Sequence, residues 1–295
     1  MSEAVSRHQW QGSLEWRSYR ARMGNASEAA ALMNCSPWFP RTPYELWLYK
    51  TGRAENEETP AMSRGQRLEP LARAFVERRF DEVYEPQVVA RERISASLDG
   101  LTFDGRWALE IKCPLAGRQS DTWRYVAEFG APPEHYWWQA QQALYCSGAQ
   151  GLRFVVCHAD GDEITDLIAC VVRPDPIAHE VLVEAWAAFL RYLDEDEPPP
   201  LTERDLRERV DREWRDAAAA WKEARRWLEE ARQAEFEARR RLIELAGDTS
   251  VQGAGIKLTR YWKRGEIDYR TATRGMDLEP FRKEGGWHYR ISEQE

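Results

Sequence analysis

Apolar and polar positions change period several times along the chain, and each change marks an element. From about 13 to 50 the run SLEWRSYRARMGNASEAAALMNCSPWFPRTPYELWLYK reads as helices broken at Gly24 and at the prolines 37, 40 and 43. A polar stretch, RAENEETP, separates these from a helix expected over 66–80, with Pro70 in its first turn or at a kink, because proline has no N–H to donate. From 86 to 112 the spacing shortens to that of strands, PQVVARERISASLDGLTF and GRWALEIKC, joined at Asp104-Gly105, which suits a two-residue hairpin turn. The segment EHYWWQAQQALYCSG has a proline before it, an acidic first turn and a Gly148 stop, the marks of a helix. Two strands, LRFVVCHA and TDLIACVVR, and a helix over 176–194 follow.

The acidic-proline run DEDEPPP then divides the chain into an expected core, 1–197, and an appendage, 198–295. Within the appendage, 202–246 is predicted to be one long charged helix. Its Val210, Trp214, Ala217, Trp221, Ala224, Leu228 and Ala231 follow alternating four- and three-residue steps, a coiled-coil or antiparallel packing seam. The last segment, VQGAGIKLTRYWKRGEIDYR, reads as a small basic hairpin, and 250–291 holds nine Lys and Arg against five acidic residues. There is no internal repeat.

Composition narrows the function classes. With 295 residues and 43% hydrophobic content the chain can bury a full core, which excludes a disordered tail protein. No run of about 18 apolar residues occurs, and MSEAVSRHQW resembles no export signal, so a cytosolic protein is expected. Five cysteines at 35, 113, 146, 157 and 170 have no metal-ligand spacing and are read as structural thiols. A formal net charge of -8 argues against a nonspecific nucleic-acid coat, yet an acidic surface can carry a basic groove.

The expected hairpin carries the informative chemistry. A turn centred on Asp104-Gly105 sets Asp99 opposite Glu110, so two carboxylates face each other, an unfavourable pairing that a divalent cation would offset. Glu110 and Lys112 are two apart on one strand and share the face of Asp99, while Leu109 and Ile111 turn the other way. An acid, acid, lysine cluster suits phosphodiester hydrolysis with Mg2+ or Mn2+. The same spacing also occurs on solvated hairpins, and a bulge at Gly100 would shift the register.

These residues resemble a known family. S-L-D-G followed by L-E-I-K-C-P is similar to the catalytic core of the YqaJ-type viral recombinase nucleases, which include the phage lambda-type exonuclease. R-G-Q-R-L-E-P with Glu69, W-W-Q-A-Q-Q-A-L-Y with Gln141 and Tyr145, and R-M-G-N-A-S-E-A-A-A-L with Arg22 and Ser27 match further blocks in order, over roughly residues 10–195. The resemblance implies an α/β, restriction-endonuclease-like nuclease core, a mixed central sheet flanked by helices, with the long helix and small β appendage after it. It further implies two Mg2+ ions, 5'-to-3' digestion of duplex DNA that leaves 3' overhangs, a ring-shaped homotrimer, and a single-strand annealing protein as partner.

Carried over residue by residue, the resemblance makes Asp99, Glu110 and the Ile111 carbonyl metal ligands, Lys112 the catalytic lysine, and Glu69 a neighbour of the second metal. Gln141 would place the lysine and the nucleophile, with Tyr145 as support one turn away. Arg22 and Ser27 would line a 5'-phosphate pocket, with Arg41 as a further contact and Arg20 as a competitor for Arg22. His135 and His158 lack a nucleophilic partner and are read as packed or surface residues. Trp137 and Trp138 are read as core, whereas Trp38 and Trp47, and the basic Lys257, Arg260, Lys263 and Arg264, are open as DNA contacts. An endonuclease on the same core, or a noncatalytic DNA-end binder, are the alternatives.

Overall fold

The computed structural model describes residues 5–6, 14–56, 59–263, 265, 268 and 273–277, and the chain divides into two units, Met1–Leu206 and Arg207–Glu295. In the first unit one mixed sheet runs in the order β1 (Val5–Ser6), β3 (Tyr84–Arg91), β4 (Ile94–Thr102), β5 (Trp107–Lys112), β6 (Gly151–Asp160), β7 (Glu163–Val172), with β2 (Gly24–Asn25) parallel to β4. Neighbours are antiparallel except β5 and β6, whose parallel ladder pairs Glu110 with Phe154 and Lys112 with Val156. A parallel pair requires a crossover. Here the crossover contains α5 (Asp121–Phe129) and α6 (Glu134–Ser147).

Helices cover both faces of this sheet, which is why its central strands bury residues of both parities. On one face Leu68, Ala72 and Val76 of α4 (Pro60–Phe80) pack with Leu109, Ile111, Val155 and Cys157. On the other, Ala140, Ala143 and Leu144 of α6 pack with Ala108, Leu152, Phe154 and Val156, together with residues of α2 (Ala29–Leu32), α3 (Pro43–Lys50) and α7 (Pro176–Asp194). Thus α4 and α6 sandwich β5 and fix the surroundings of every residue on it.

Two boundaries differ from the sequence-based expectation. Helix α4 begins at Pro60, where Thr59 Oγ1 accepts the Met62 amide, so Pro70 lies in mid-helix on an exposed position rather than in the first turn. The hairpin turn is wider than two residues: β4 ends at Thr102 and β5 begins at Trp107, with the Gly105 amide on the Thr102 carbonyl at 2.8 Å and Gly105 at φ +69. Opening the turn by one pair on each side leaves the register intact, because the loop stays centred on Asp104-Gly105.

The division between units falls after Leu206 rather than at the acidic-proline run. Arg204 donates to the carbonyls of Asn34, Ser36 and Arg41, and Thr42 donates to Asp205, tying this stretch to the first unit. In the second unit α8 (Arg212–Ala246) starts at an Asp211 cap, ten residues after the start expected at 202, and is followed by the hairpin β8 (Val251–Gly253) and β9 (Ile256–Leu258). All five cysteines are free, three of them buried.

Candidate active site

Asp99 and Glu110 meet where β4 and β5 part. The strands pair at Gly100 with Leu109 and at Leu101 with Ala108, the register that sets Asp99 across from Glu110. Past Gly100 a side chain replaces the backbone partner: Asp99 Oδ2 accepts the Ile111 amide at 2.8 Å. A buried N–H must find an acceptor, and the carboxylate that supplies one is thereby held in a single orientation. Glycine is needed at 100, since a Cβ there would lie 2.5 Å from Tyr84 Cβ.

Both carboxylates are nearly withdrawn from water, Asp99 at 8% and Glu110 at 4% exposure, so they require compensation. Lys112 Nζ donates to Glu110 Oε1 at 2.6 Å and to Gln139 Oε1 at 3.2 Å, and Gln139 Nε2 donates to the same Glu110 oxygen at 2.7 Å. The ammonium also stands 4.6 Å from the centre of the Tyr136 ring. Burial by itself pulls Lys112 down, but the charge of Glu110, with Tyr136 and Asp99, outweighs it and holds the lysine above its ordinary range. Lys112 is therefore an ammonium at any physiological pH.

Helix α4 closes the other side. Arg73 Nη1 reaches both Glu69 Oε1, at 3.3 Å, and the Asp99 carbonyl, at 2.9 Å. Glu69 is half-buried and stands beside the pair through this arginine. Among the described residues no three His, Cys, Asp or Glu side chains converge tightly enough to enclose a metal by themselves. Two buried carboxylates and adjacent carbonyls still form an all-oxygen donor set, which fits an ion that uses one or two carboxylates and completes its shell with water and phosphate.

Gln141 is not part of this cluster. Its Nε2 donates to the Arg173 carbonyl at 2.9 Å and its Oε1 accepts the Asp175 amide at 2.9 Å, so it fastens the chain entering α7. Gln142 is equally committed, donating to the carbonyls of Gly24 and Ser95 and accepting from Trp186 Nε1. The glutamine at the lysine is Gln139, which sequence reasoning missed. Residues two apart on a helix point about 200° apart, so only one of Gln139 and Gln141 can face β5. A usable signal was Tyr136, three residues before Gln139 and on the same helix face. Tyr145 packs under Arg91, 5.0 Å from its ring centre, and against His179.

The N-terminal block also resolves differently from its expectation. Arg20, not Arg22, meets Ser27, donating to Ser27 Oγ at 2.8 Å, while Arg22 is exposed and its carbonyl accepts from Arg93. Arg20 is backed by buried Glu28 at 3.8 Å, and Glu28 in turn binds Lys50 Nζ at 2.7 Å and the Asn25 side chain at 2.8 Å. Arg41 is clasped by Glu45, which takes both its amide and the Nε and Nη2 side of its guanidinium. Trp47 lies in the core at 4% exposure, whereas Trp38 is 57% exposed and edges onto His135, which packs on Tyr136. Burial and the nearby Lys112 charge bring His135 down to about 4. Of the basic C-terminal residues, Arg264 lies outside the described residues.

Comparison with known proteins now adds to this geometry. Residues 15–150 match the YqaJ-like viral recombinase domain. Among solved structures it is similar to an alkaline exonuclease (LHK-Exo) from Laribacter hongkongensis, with 27% identity, 62% of this chain and 94% of that chain covered, and a TM-score of 0.49. The LHK-Exo complex with dAMP gives 25% identity, the same coverage and a TM-score of 0.50. A phage-related exonuclease from Haemophilus somnus 129PT, at 12% identity over 59% of this chain and 94% of that one, has a TM-score of 0.46. No curated protein matches. The YqaJ-like segment contains Glu69, Asp99, Glu110, Lys112 and Gln139, and it ends before α7 and α8.

Proposed function

We propose that this chain is a metal-dependent exonuclease that digests double-stranded DNA from 5' ends and leaves 3' single-stranded overhangs for phage-type recombination. One observation carries the reading: a YqaJ-like domain retains a complete buried cluster in which Asp99 and Glu110 face each other and Lys112 is locked onto Glu110 by Gln139. An alkaline exonuclease that binds dAMP is similar over nearly its whole length, which supports the activity. A noncatalytic end binder would have no need to maintain two buried carboxylates beside an ammonium.

In this reading Asp99, Glu110 and the Ile111 carbonyl hold Mg2+, with Mn2+ as a substitute, and Glu69 serves a second ion. A cation held there would lower the pKa of its water and offset charge on the phosphate. Lys112, permanently protonated, adds a fixed positive charge where negative charge develops, and its two anchors keep that charge from wandering. Arg73 steadies Asp99 from behind. At the N-terminal block Arg20 and Ser27 form the pocket for a 5'-phosphate, with Arg41 and Arg22 as outer contacts, since a guanidinium binds phosphate oxygens through a planar fork.

The same reading includes a ring-shaped homotrimer, a single-strand annealing protein as partner, and the bacterial host cytoplasm as location. No helix among the described residues is long and apolar enough to cross a membrane. The test is incubation of linear duplexes labelled at either end, and of a covalently closed circle, with Mg2+. Release of 5' label with the circle spared supports the proposal. Cutting of the circle makes the chain an endonuclease, and binding without hydrolysis makes it an end-binding factor.

A further inference from the structure

We propose that α8 is a self-association element, pairing antiparallel with α8 of a second copy of this chain. The helix has 35 residues, about 52 Å at the usual rise, and none of them is buried. Along one stripe Trp214, Trp221, Leu228, Glu235 and Leu242 recur every seven residues, and Ala217, Ala224, Ala231, Ala238 and Leu245 recur in the adjoining stripe. Trp214 and Leu228 are 51% and 47% exposed. One stripe is thus built of large side chains and the other mostly of alanine.

That asymmetry decides the orientation. In a parallel pair each stripe meets itself: indole against indole, alanine against alanine, and Glu235 against the partner's Glu235, which alternates crowded with hollow layers and opposes two like charges. In an antiparallel pair the large stripe meets the small one. Trp214 then lies against the partner's Ala238, Trp221 against the partner's Ala231 and Leu228 against the partner's Ala224. Glu235 falls opposite the partner's Ala217, whose size leaves it a path to water. Every layer holds one large and one small residue, so the layers fill evenly.

Charge agrees with the same register. On the flank beside the large stripe Glu213 comes next to the partner's Arg241, once at each end of the pair, while Ala220 meets the partner's Ala234 and Trp227 meets the partner's Trp227. A shift by one heptad sets Trp214 against the partner's Leu245 and loses the Glu213 pairing. The opposite flank is basic: it sets Arg239 beside the partner's Asp211 and Arg232 beside the partner's Ala218, leaves Arg225 beside the partner's Arg225 at the two-fold, and Glu229 lies 4.0 Å from Arg232. Those long side chains extend from the seam into solvent. The surface lies outside the YqaJ-like segment, and because the pair is two-fold it joins chains of different rings rather than neighbours within one, so it stands independently of the nuclease reading.

The test uses the full chain. Ala220→Cys and Ala234→Cys are made as separate variants, both exposed sites on a helix whose folding does not depend on them, and oxidised with diamide alone and as a mixture, with the unsubstituted chain as control for native thiols. A disulfide-linked two-chain product that forms from the mixture and not from either variant alone is expected. Sedimentation of an Ala224→Arg/Ala231→Arg variant is expected to show the assembled mass falling by at least half, with helix content unchanged by circular dichroism. Cross-linking of each variant with itself would mean a parallel pair and overturn the proposal. No cross-link in the mixture, or an unchanged mass in the double-arginine variant, would overturn it as well and leave α8 to another partner.

Discussion

Gln139 donates to Glu110 Oε1 at 2.7 Å, on the same oxygen that Lys112 contacts at 2.6 Å. The lysine is consequently held from two sides, by the charge of Glu110 and by the amide oxygen of Gln139. Gln139→Ala is expected to reduce the chemical step by about 10- to 100-fold while DNA binding stays near that of the unchanged chain. Gln141→Ala is expected to behave oppositely, costing about 1–3 kcal/mol of stability because the Arg173 carbonyl and Asp175 amide lose their partner. Single-turnover digestion together with urea denaturation of both variants separates the two roles.

Asp99 and Glu110 carry the expected metal dependence. Hydrolysis should require Mg2+ or Mn2+, stop in excess chelator, and fail with Ca2+, whose looser coordination does not hold a close, ordered site. Asp99→Asn and Glu110→Gln should each abolish turnover and Mg2+ binding read by calorimetry. Robust cleavage in chelator would remove the metal from the mechanism.

Lys112→Ala should bind duplex ends and lose hydrolysis by about two to three orders of magnitude, since under the proposed function it removes a charge that would face the reacting phosphate while leaving both carboxylates in place. Near-native turnover in this variant would show that the ammonium serves only to balance Glu110.

His135 links stability to acid. Its pKa is brought down to about 4, below the ordinary 6.5, by burial and by the charge of Lys112, and its buried Nε2 has no hydrogen-bond partner among the described residues. Between those two values the unfolded chain binds a proton that the folded chain does not, so stability rises with pH across this window and falls as the solution is acidified. The expected contribution is about 1–3 kcal/mol between pH 6.5 and 4, discounted for partial exposure. His135→Phe, compared with the unchanged chain in urea unfolding at several pH values, should flatten the slope, and an identical slope would reject the assignment.

Arg20 and Ser27 give the fifth expectation. Duplexes with a 5'-phosphate should be digested faster than those with a 5'-hydroxyl, and Arg20→Ala should erase the difference, a loss of about 1–3 kcal/mol for one charge-assisted contact. Arg22→Ala should leave it intact. The reverse result would return the pocket to Arg22, and no preference in the unchanged chain would discard the pocket.

Much of the core was legible because local chemistry and tertiary structure agree there. The Asp104-Gly105 turn centre determines which residues of β4 and β5 face each other whether the loop is two residues or four, so Asp99 and Glu110 follow from counting. The period of two on β5 places Glu110 and Lys112 on one face for the same reason. On α8 the alternation of large and small positions is likewise a property of the sequence, because a helix keeps its spacing whatever surrounds it.

Which side of a helix meets the sheet is a different kind of information. Gln139, Gln141 and Gln142 are close in sequence and chemically alike, yet one holds the lysine, one fastens the start of α7 and one bridges Gly24, Ser95 and Trp186, because rotation about the axis distributes them to different neighbours. The same holds at the N-terminal block, where Arg20 rather than Arg22 meets Ser27 because the chain returns from α1 (Leu14–Arg22) along β2. Sequence alone determined the residue types of the site and their order on the strands, where pleating fixes the face. Only the packing of α6 against the sheet and the return of the chain along β2 decided which glutamine meets Lys112 and which arginine meets Ser27, since those contacts join segments held together by the fold.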